Sequence, residues 1–317
     1  MKTISIITPC YNEEKNVTNC ALRVRQLFES KLSEYNYEHI FSDNSSTDKT
    51  AEVLISLAQF DPRIRVIVNS RNVGPFRNMW SAMKQSSGDA VVPFLPADLQ
   101  DPPEIIENFI RNWEQGSLVV YGIRKKRQEN FPMRLLRGIY YRVISLMSDF
   151  EIPRNVGEFL LVDRQVLNSV LEVEDEYPYV RGLIAQTGVK STSVAYLWSR
   201  RKYGKSKISL LQLLDQAING LISTSRAPAR IALLSGFMLA LSGVVASLIY
   251  FIKILFFDST SSEFSNFFIP GIFFLSGIQL FFLGLIGEYI LSIHAQIRKV
   301  PKMYPVKKVN FHLENFD

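Results

Sequence analysis

The segment TISIITPCYNEE (Thr3–Glu14) decides the fold, because a short β-branched apolar run leads directly into a polar turn. Thr3–Thr8 is typical of a buried strand, and Pro9–Glu13 is then the loop at its carboxyl end. The pattern recurs, with further strands predicted at His39–Ser42, Arg65–Asn69, Ala90–Leu95 and Leu118–Tyr121, and helices at Asn16–Phe28, Lys49–Phe60, Arg77–Ser86 and Pro103–Trp113. Alternating strands and helices predict an α/β fold, in which a mostly parallel sheet has helices on both faces.

The last of these helices has a clear start signal. Asp101 is the predicted N-cap, Pro102 and Pro103 occupy the first turn, and Glu104 follows three residues after the cap. We therefore expect the Asp101 side chain to bond to backbone N–H groups of this helix.

Ligands of such sheets bind beyond the carboxyl ends of the strands. Three loops satisfy this rule: Pro9–Glu13, Ser42–Ser46 and Pro96–Asp101. Asp43 can accept a hydrogen bond from a base or a ribose, although an Asx-turn with a helix cap explains it equally well. Asp98 and Gln100 offer oxygen ligands for a hard cation, Mg²⁺ or Mn²⁺, with phosphate oxygens and water completing the shell. A solvated loop acid is the alternative for Asp98.

Composition and charge restrict the class of protein. The 317 residues are 47% hydrophobic and 21% charged, which excludes a disordered chain. Residues 1–120 carry 12 basic and 15 acidic side chains, whereas residues 121–210 carry 16 and 9. A basic middle followed by an apolar region predicts anionic groups near a membrane surface. There is no basic recognition helix or RNA-stacking motif, so nucleic acid is not an expected partner.

Two long apolar stretches follow Arg230. Ile231–Phe257 and Asn266–Ile293 each exceed the ~20 residues that span ~30 Å of hydrocarbon, and the polar segment Asp258–Ser265 joins them. They predict a two-helix transmembrane hairpin, with a buried pair of core helices as the alternative. Basic residues flank the hairpin on both outer sides and are absent from its loop, so the catalytic domain and both termini are predicted to be cytoplasmic. Small residues that would permit helix packing in a homo-oligomer are Gly271, Gly277, Gly284 and Gly287.

The sequence thus predicts an integral membrane protein with four regions. They are a catalytic domain (1–208), an interfacial amphipathic region (209–230), two transmembrane helices (231–257 and 266–293) and a cytoplasmic tail (294–317). The interfacial region rests on Lys207–Thr224, where apolar residues recur at helical spacing; a surface helix of the catalytic domain is the alternative. Three basic clusters are typical of contacts with phosphates or lipid headgroups. They lie at Arg124–Arg127, Arg134–Arg142 and Arg200–Lys207. For any single residue of a cluster, a solvated surface position is the default interpretation.

Taken together, these segments resemble the polyprenyl-phosphate glycosyltransferases of glycosyltransferase family 2, a group that includes dolichyl-phosphate mannose synthases and bacterial undecaprenyl-phosphate glucosyltransferases. The matching segments, in family order, are SIITPCYNEE (Ser5–Glu14), SDNSSTDKT (Ser42–Thr50), RNVG (Arg71–Gly74), GDAVVPFLPADLQDPPE (Gly88–Glu104), GEFLLVDR (Gly157–Arg164), RGL (Arg181–Leu183), RRKYGKSK (Arg200–Lys207) and GLIGEYI (Gly284–Ile290). The resemblance implies a GT-A (Rossmann-like) fold. It also implies inverting transfer of one sugar from a nucleotide sugar to a polyprenyl phosphate, with UDP-glucose as donor by likeness to the bacterial members.

The resemblance further implies which residues form the site. They are Pro9, Tyr11, Glu13, Asp43, Ala97, Asp98, Arg200 and Lys207 for the nucleotide sugar, Arg124 and Arg134 for the acceptor phosphate, Asp98 and Gln100 for Mg²⁺ or Mn²⁺, and Asp98 and Glu158 for catalysis. A phosphate monoester is already anionic, so it needs positioning and a stabilised leaving group more than a base. Metal and Arg or Lys groups supply both.

Three positions depart from the family pattern. Pro96 replaces the first carboxylate of Asp-Ala-Asp, and Glu158 and Leu160 replace the Asp and Arg of Gly-Asp-Phe-Arg. A non-catalytic relative that binds nucleotide sugar without turnover is therefore one alternative. The other is a processive polysaccharide synthase, although two crossings are too few to line a channel and no Gln-x-x-Arg-Trp segment occurs.

Overall fold

The structure, a computed structural model, describes residues 1–125, 156–173, 178–198, 227–257, 262–297 and 304–311. The chain divides into two compact units. The first comprises Met1–Arg142, Phe150–Ala217 and Val300–Asp317, and the second comprises Val143–Asp149 and Ile218–Lys299. The predicted helix at Lys207–Thr224 lies outside the described residues.

Within the described residues, the first unit is built on one eight-stranded sheet. The strands are β1 (Thr3–Cys10), β2 (Asn36–Asp43), β3 (Ile64–Asn69), β4 (Ala90–Val92), β5 (Val119–Lys125), β6 (Val156–Asp163), β7 (Ser191–Leu197) and β8 (Pro305–Val309). The helices are α1 (Val17–Lys31), α2 (Thr50–Phe60), α3 (Pro75–Met83), α4 (Ile105–Glu114), α5 (Arg164–Leu171) and α6 (Val180–Gln186). Every strand and helix predicted in the first part of the chain is confirmed, with ends shifted by a few residues.

The sheet is mixed, with the order β7-β5-β6-β4-β1-β2-β3-β8. Strand β1 is parallel to β2 and β4, β2 is parallel to β3, and β5 is parallel to β7. Strand β6 runs antiparallel to β4 and β5, and β8 runs antiparallel to β3. The predicted parallel arrangement is therefore confirmed for β1–β4, and the two antiparallel strands are additions to it.

Two local predictions are wrong. Strand β4 ends at Val92 instead of Leu95, because Pro93 has no N–H to donate to a neighbouring strand. Helix α4 begins at Ile105 with Glu104 in the N-cap position, so Asp101 does not cap it. The buried Asp101 carboxylate bonds instead to side chains of two strands.

Apolar side chains fill both faces of the sheet. Helices α1, α2 and α4 cover one face, where Ile6 and Phe41 are fully buried. Helices α3, α5 and α6 cover the other face, where Ile7 and Ile40 are fully buried. Neighbouring residues alternate in this way because successive side chains of a strand point to opposite faces. The prediction of helices on both faces is confirmed.

Strand β8 closes the outer edge of the sheet beside β3. It falls within residues 294–317, the predicted tail. Asn310 follows the strand in a left-handed conformation (φ 61°), and its amide Nδ2 donates to the carbonyl oxygens of Ala58 at 2.6 Å and Ile64 at 2.9 Å. The chain therefore returns to the first unit after the two helices of the second.

The second unit contains two long helices, α7 (Ala227–Phe257) and α8 (Ser262–Ile297). The predicted polar connection is shortened, because α8 begins at Ser262. Within the described residues, one segment, Phe274–Leu291 of α8, is long and apolar enough to cross a membrane, and none of it is buried. The apolar part of α7, Leu233–Gly243, is shorter. The two predicted helices are confirmed, but the prediction that both cross a membrane is not. The alternative, a buried pair of core helices, does not fit α8, because its apolar segment is unburied.

Candidate active site

The carboxyl ends of β1 to β4 lie at one edge of the sheet. Cys10 and Asp43 are paired at the ends of β1 and β2, and β4 lies on the other side of β1. Because β6 is antiparallel, its first residues lie at this same edge, and Val156 is paired with Ile123 of β5. The three predicted loops and Glu158 therefore belong to one edge, where ligands of such sheets bind.

Side-chain hydrogen bonds join the loops that follow β1 and β2. Asn12 is left-handed (φ 55°), and its Oδ1 accepts from the N–H of Thr47 at 2.7 Å. The N–H of Asn12 donates to Ser46 Oγ at 2.9 Å. The loop that these bonds fix carries three predicted nucleotide-binding residues, Pro9, Tyr11 and Glu13.

Asp43 ends β2 and is only 1% exposed. Its Oδ2 accepts from the N–H of Ser46 at 3.0 Å, and its Oδ1 accepts from the Ser46 hydroxyl, so the carboxylate makes local bonds within its own loop. Burial raises the pKa of Asp43, and the hydrogen bonds from Ser46 oppose that rise. Its contact with a base or ribose stays a prediction.

A network of amide side chains, of which Asn44, Asn69 and Asn78 are buried, supports the end of β2, and sequence reasoning missed it. Asn69 Nδ2 donates to the carbonyl oxygen of Asp43 and to Asn78 Oδ1, both at 2.9 Å. Asn44 Nδ2 donates to Asn72 Oδ1 at 2.8 Å. These bonds join the end of β2 to the segment that leads into α3. The one signal of this network in the sequence is the family motif RNVG (Arg71–Gly74), which contains Asn72.

The loop Pro96–Asp101 carries the predicted metal ligands. Leu99 is left-handed (φ 57°), which is uncommon for a bulky residue, and the N–H of Gln100 donates to Asp98 Oδ1 at 3.1 Å. Carboxylate and amide oxygens are ligands that Mg²⁺ and Mn²⁺ prefer. Since the described residues contain no group of three or more His, Cys, Asp or Glu suited to a metal, phosphate oxygens and water would complete the shell. The donor set fits a hard cation bound together with a diphosphate.

Arg124, at the end of β5, is held in a buried ion pair. Its Nε and Nη2 donate to the Asp101 carboxylate at 2.9 and 2.5 Å, and Tyr196 Oη donates to the same carboxylate at 2.5 Å. The side chains of Asp101 and Arg124 are 1% and 17% exposed. Burial on its own would lower the pKa of Arg124, but Asp101 raises it above its usual value, so the guanidinium stays charged.

Glu158 is a second buried acid at this edge, with 10% of its side chain exposed. Its Oε1 lies 3.7 Å from Arg181 Nε, and its Oε2 has no hydrogen-bond partner among the described residues. Burial raises the pKa of Glu158, whereas Arg181 and Arg124 lower it. Leu160 is fully buried in the core, so an apolar side chain suits the position where the family has Arg.

The predicted site residues thus divide into two groups. Those at the described edge of the sheet are Pro9, Tyr11, Glu13, Asp43, Ala97, Asp98, Gln100, Arg124 and Glu158. Arg134, Arg200 and Lys207 lie outside the described residues.

A mixed sheet with these loops at one edge is the architecture of GT-A glycosyltransferases. Glucosyl-3-phosphoglycerate synthase from Mycobacterium tuberculosis, solved in complex with Mn²⁺, UDP-glucose and phosphoglyceric acid, matches with a TM-score of 0.52. The match covers 70% of this chain and 79% of that one at 20% identity, which shows a common fold. The predicted fold class is therefore confirmed for the catalytic part.

Residues 5–171 match the model of Glycosyl transferase family 2, and the chain belongs to that family. It is 35% identical to glycosyltransferase YkcC of Bacillus subtilis, over 98% of this chain and 95% of that one. It is 29% identical to the SfII prophage-derived bactoprenol glucosyl transferase of Shigella flexneri, over 96% of this chain and 97% of that one. The predicted enzyme class, a glycosyltransferase, and the resemblance to the polyprenyl-phosphate group are confirmed.

Proposed function

We propose that this glycosyltransferase moves a single glucose from UDP-glucose to a polyprenyl phosphate at the cytoplasmic face of a membrane, with inversion at the anomeric carbon. The observation that carries the proposal is the similarity to proteins named bactoprenol glucosyl transferases, which extends over 96% of the chain. Similarity of that extent includes the apolar helices as well as the catalytic sheet.

The loops after β1 and β2 are proposed to bind the nucleoside. Pro9, Tyr11 and Glu13 would line its pocket, and Asp43 would accept a hydrogen bond from the base or ribose. Support comes from the hydrogen bonds that join Asn12 to Ser46 and Thr47, because a preorganised loop loses little freedom when the donor binds.

The loop after β4 is proposed to receive the diphosphate. A bound Mg²⁺ or Mn²⁺ would neutralise charge on the leaving group. Asp98 and Gln100 would hold the cation, and the small side chain of Ala97 would allow the diphosphate to approach the backbone. Pro96 contributes no ligand, so the diphosphate and water must supply more of the shell than in relatives with Asp-Ala-Asp.

In the reaction, an oxygen of the acceptor phosphate forms a bond to the anomeric carbon as the bond from that carbon to the donor diphosphate breaks. The nucleoside diphosphate leaves with the electron pair. Arg134 would orient the acceptor phosphate, and Arg200 and Lys207 would bind the donor phosphates. Glu158 is proposed as the second catalytic carboxylate, because its buried Oε2 can accept a hydrogen bond from a donor or acceptor hydroxyl. No strong base is needed, since the nucleophile is already anionic.

The membrane placement is proposed from α7, α8 and β8. Because β8 lies in the same sheet as β1 to β3, the segments before and after the helices belong on one side of any membrane that the helices cross. That supports two crossings with both termini on the same side, and the basic residues that flank the helices favour the cytoplasmic side. Helix contacts through Gly271, Gly277, Gly284 and Gly287 are proposed to allow a homo-oligomer.

The test is a donor screen with the full-length protein in lipid nanodiscs that contain undecaprenyl phosphate. Radiolabelled UDP-glucose, UDP-galactose, UDP-N-acetylglucosamine and GDP-mannose are compared in the presence of Mg²⁺ or Mn²⁺. We expect one glucose per lipid, of inverted configuration and made only from UDP-glucose. Transfer from another donor would correct the sugar, and a polymeric product would replace the proposal with a processive synthase.

Failure of transfer from every donor would contradict the proposed activity. If the protein then still bound a nucleotide sugar in calorimetry, the non-catalytic alternative would be supported. A Pro96→Asp variant distinguishes further, because activity that appears only after the family carboxylate is restored identifies Pro96 as the cause.

A further inference from the structure

The loop that carries Asp98 and Gln100 contains a backbone conformation that it would not adopt alone. Leu99 is left-handed (φ 57°), and its side chain belongs to the core cluster on the face of the sheet that α1, α2 and α4 cover. Bulky residues keep such a conformation only where their surroundings enforce it. The side chain of Leu99 fixes one point of this loop, and a second fixed point follows two residues later at Asp101.

Asp101 anchors the carboxyl end of the loop through its side chain. Both of its oxygens accept hydrogen bonds from Arg124, and Tyr196 Oη donates to one of them. The Asp101 side chain is 1% exposed, so its charge is removed from water. If Arg124 left to meet another anion, Asp101 would stay buried and, among the described side chains, would keep one neutral donor, Tyr196, which is energetically unfavourable.

The two partners of Asp101 are placed by the sheet. Arg124 and Tyr196 are directly paired residues on the parallel strands β5 and β7. Gly157 on β6 leaves space for the guanidinium, because a Cβ there would lie 3.1 Å from Arg124 Cζ. The ring of Tyr196 packs edge-on against Phe159, with centroids 5.6 Å apart.

We propose that Asp101, Arg124 and Tyr196 form a clamp that holds the metal loop in its binding conformation. Arg124 is then a positioning residue, which acts through Asp101, and not a ligand of the acceptor phosphate. The inference rests on the proposed function, because it assumes that Asp98 and Gln100 bind a divalent cation together with the donor diphosphate.

The test measures how nucleotide binding depends on metal. Full-length protein in detergent is titrated with UDP or GDP at a series of MnCl₂ concentrations, and binding is followed by calorimetry. We expect Tyr196→Phe and Asp101→Asn to raise the Mn²⁺ concentration for half-maximal binding by about tenfold, because groups that orient metal ligands have effects of that size. We expect the KM for polyprenyl phosphate to change by less than about twofold in Tyr196→Phe.

Tyr35→Phe is the matched control. Tyr35 also donates its hydroxyl to a carboxylate, that of Glu114, so the same atom is removed from a tyrosine–carboxylate bond away from the metal loop. We expect it to leave the Mn²⁺ dependence unchanged. Because Asp101→Asn alters a buried charge and can prevent folding, Tyr196→Phe is the decisive variant, and its melting temperature is measured alongside.

Three results would overturn the clamp. The first is a wild-type Mn²⁺ dependence in Tyr196→Phe. The second is an Arg124→Lys variant with a raised KM for polyprenyl phosphate and unchanged Mn²⁺ dependence, which would make Arg124 an acceptor ligand. The third is metal-independent nucleotide binding by the wild type. Metal-dependent binding that responds to the variants, without sugar transfer from any donor, would instead contradict the proposed function and leave the clamp intact.

Discussion

The half of the sheet that contains β1, β2 and β3 and the half that contains β5, β6 and β7 stabilise the same edge by different means. In the first half, neutral amide and hydroxyl groups such as Asn12, Asn69 and Asn78 connect neighbouring loops. In the second half, a buried ion pair between Arg124 and Asp101 connects β5 to the loop after β4.

The two halves should differ in how much stability they lose when a side chain is substituted. A neutral network loses one hydrogen bond at a time, and each loss is modest. A buried ion pair that loses one partner leaves an uncompensated charge, so the loss is large. Donor binding in the first half should therefore be adjustable by substitution, whereas the metal loop should be intolerant of it.

The largest effect is expected at the loop between the halves. Asp98→Ala should lower kcat/KM by at least about 100-fold, because the cation that neutralises the leaving diphosphate loses a charged ligand. The melting temperature should hold, because Asp98 is partly exposed. Sugar-transfer kinetics and thermal melting check both, and Glu52→Ala, which removes an exposed carboxylate from α2, is the control. Retained activity in Asp98→Ala would remove this residue from the site.

The ion pair should dominate stability. Arg124→Ala should lower the free energy of unfolding by about 3 kcal/mol or more, since it leaves Asp101 charged and buried. Arg111→Ala breaks an exposed pair with Glu34, which solvent screens, and should lower the free energy of unfolding far less. Denaturant titration of both variants measures the difference. Equal losses would mean that the charged half is no more sensitive than the surface.

The amide network should show an intermediate effect. Asn78→Ala removes bonds to Ser42 and Asn69 within the core and should cost about 1–3 kcal/mol. We also expect a higher KM for the donor with little change in kcat, because the end of β2 loses its support. Asn112→Ala, which removes a surface bond to the carbonyl of Asn108, serves as the control. A fall in kcat alone would contradict a role in donor binding.

The smallest effect is expected from His39, which lies in the core of β2. Burial lowers its pKa from 6.5 to about 3, Asp61 opposes this, and Thr8 Oγ1 lies 2.8 Å from its Nε2. Below about pH 6.5 the unfolded chain binds a proton that the folded chain does not, so stability should fall by up to about 1.4 kcal/mol per pH unit. Thermal melting between about pH 7.5 and pH 5.5 should show a shallower fall in His39→Gln than in the wild type. Identical slopes would contradict the assignment.

The sequence was informative where structure is local. The strand of Thr3–Thr8 and the helices after it follow from periodicity, and the loops at the strand ends follow from the fold class. The clamp could not be predicted, because Asp101, Arg124 and Tyr196 come from three separate segments. Asp101 was instead predicted as an N-cap, because its neighbours match that motif and nothing local reveals the cross-strand partners.

The missed strands have physical reasons of their own. Strand β7 lies at the edge of the sheet, and its exposed positions include the apolar residues Ala195 and Leu197. The sequence therefore shows little polar–apolar alternation there, although the exposure of successive side chains alternates. Strand β8 contains Lys307 and Lys308, which are common on edge strands but obscure a strand pattern. Its pairing with β3 joins parts of the chain that are far apart in sequence, and no local signal reports it.

The late position of β8 also sets the order in which the protein matures. A ribosome completes the catalytic loops and both apolar helices before it releases Pro305–Val309, so the outer edge of β3 waits for its neighbour until after the apolar helices have been made. An open strand edge invites wrong pairing with other chains. Delivery of the apolar helices to their final environment and completion of the sheet are consequently linked in time. A stalled or shortened nascent chain would leave the edge of β3 unpaired and prone to aggregation, and cellular quality control would degrade such a chain.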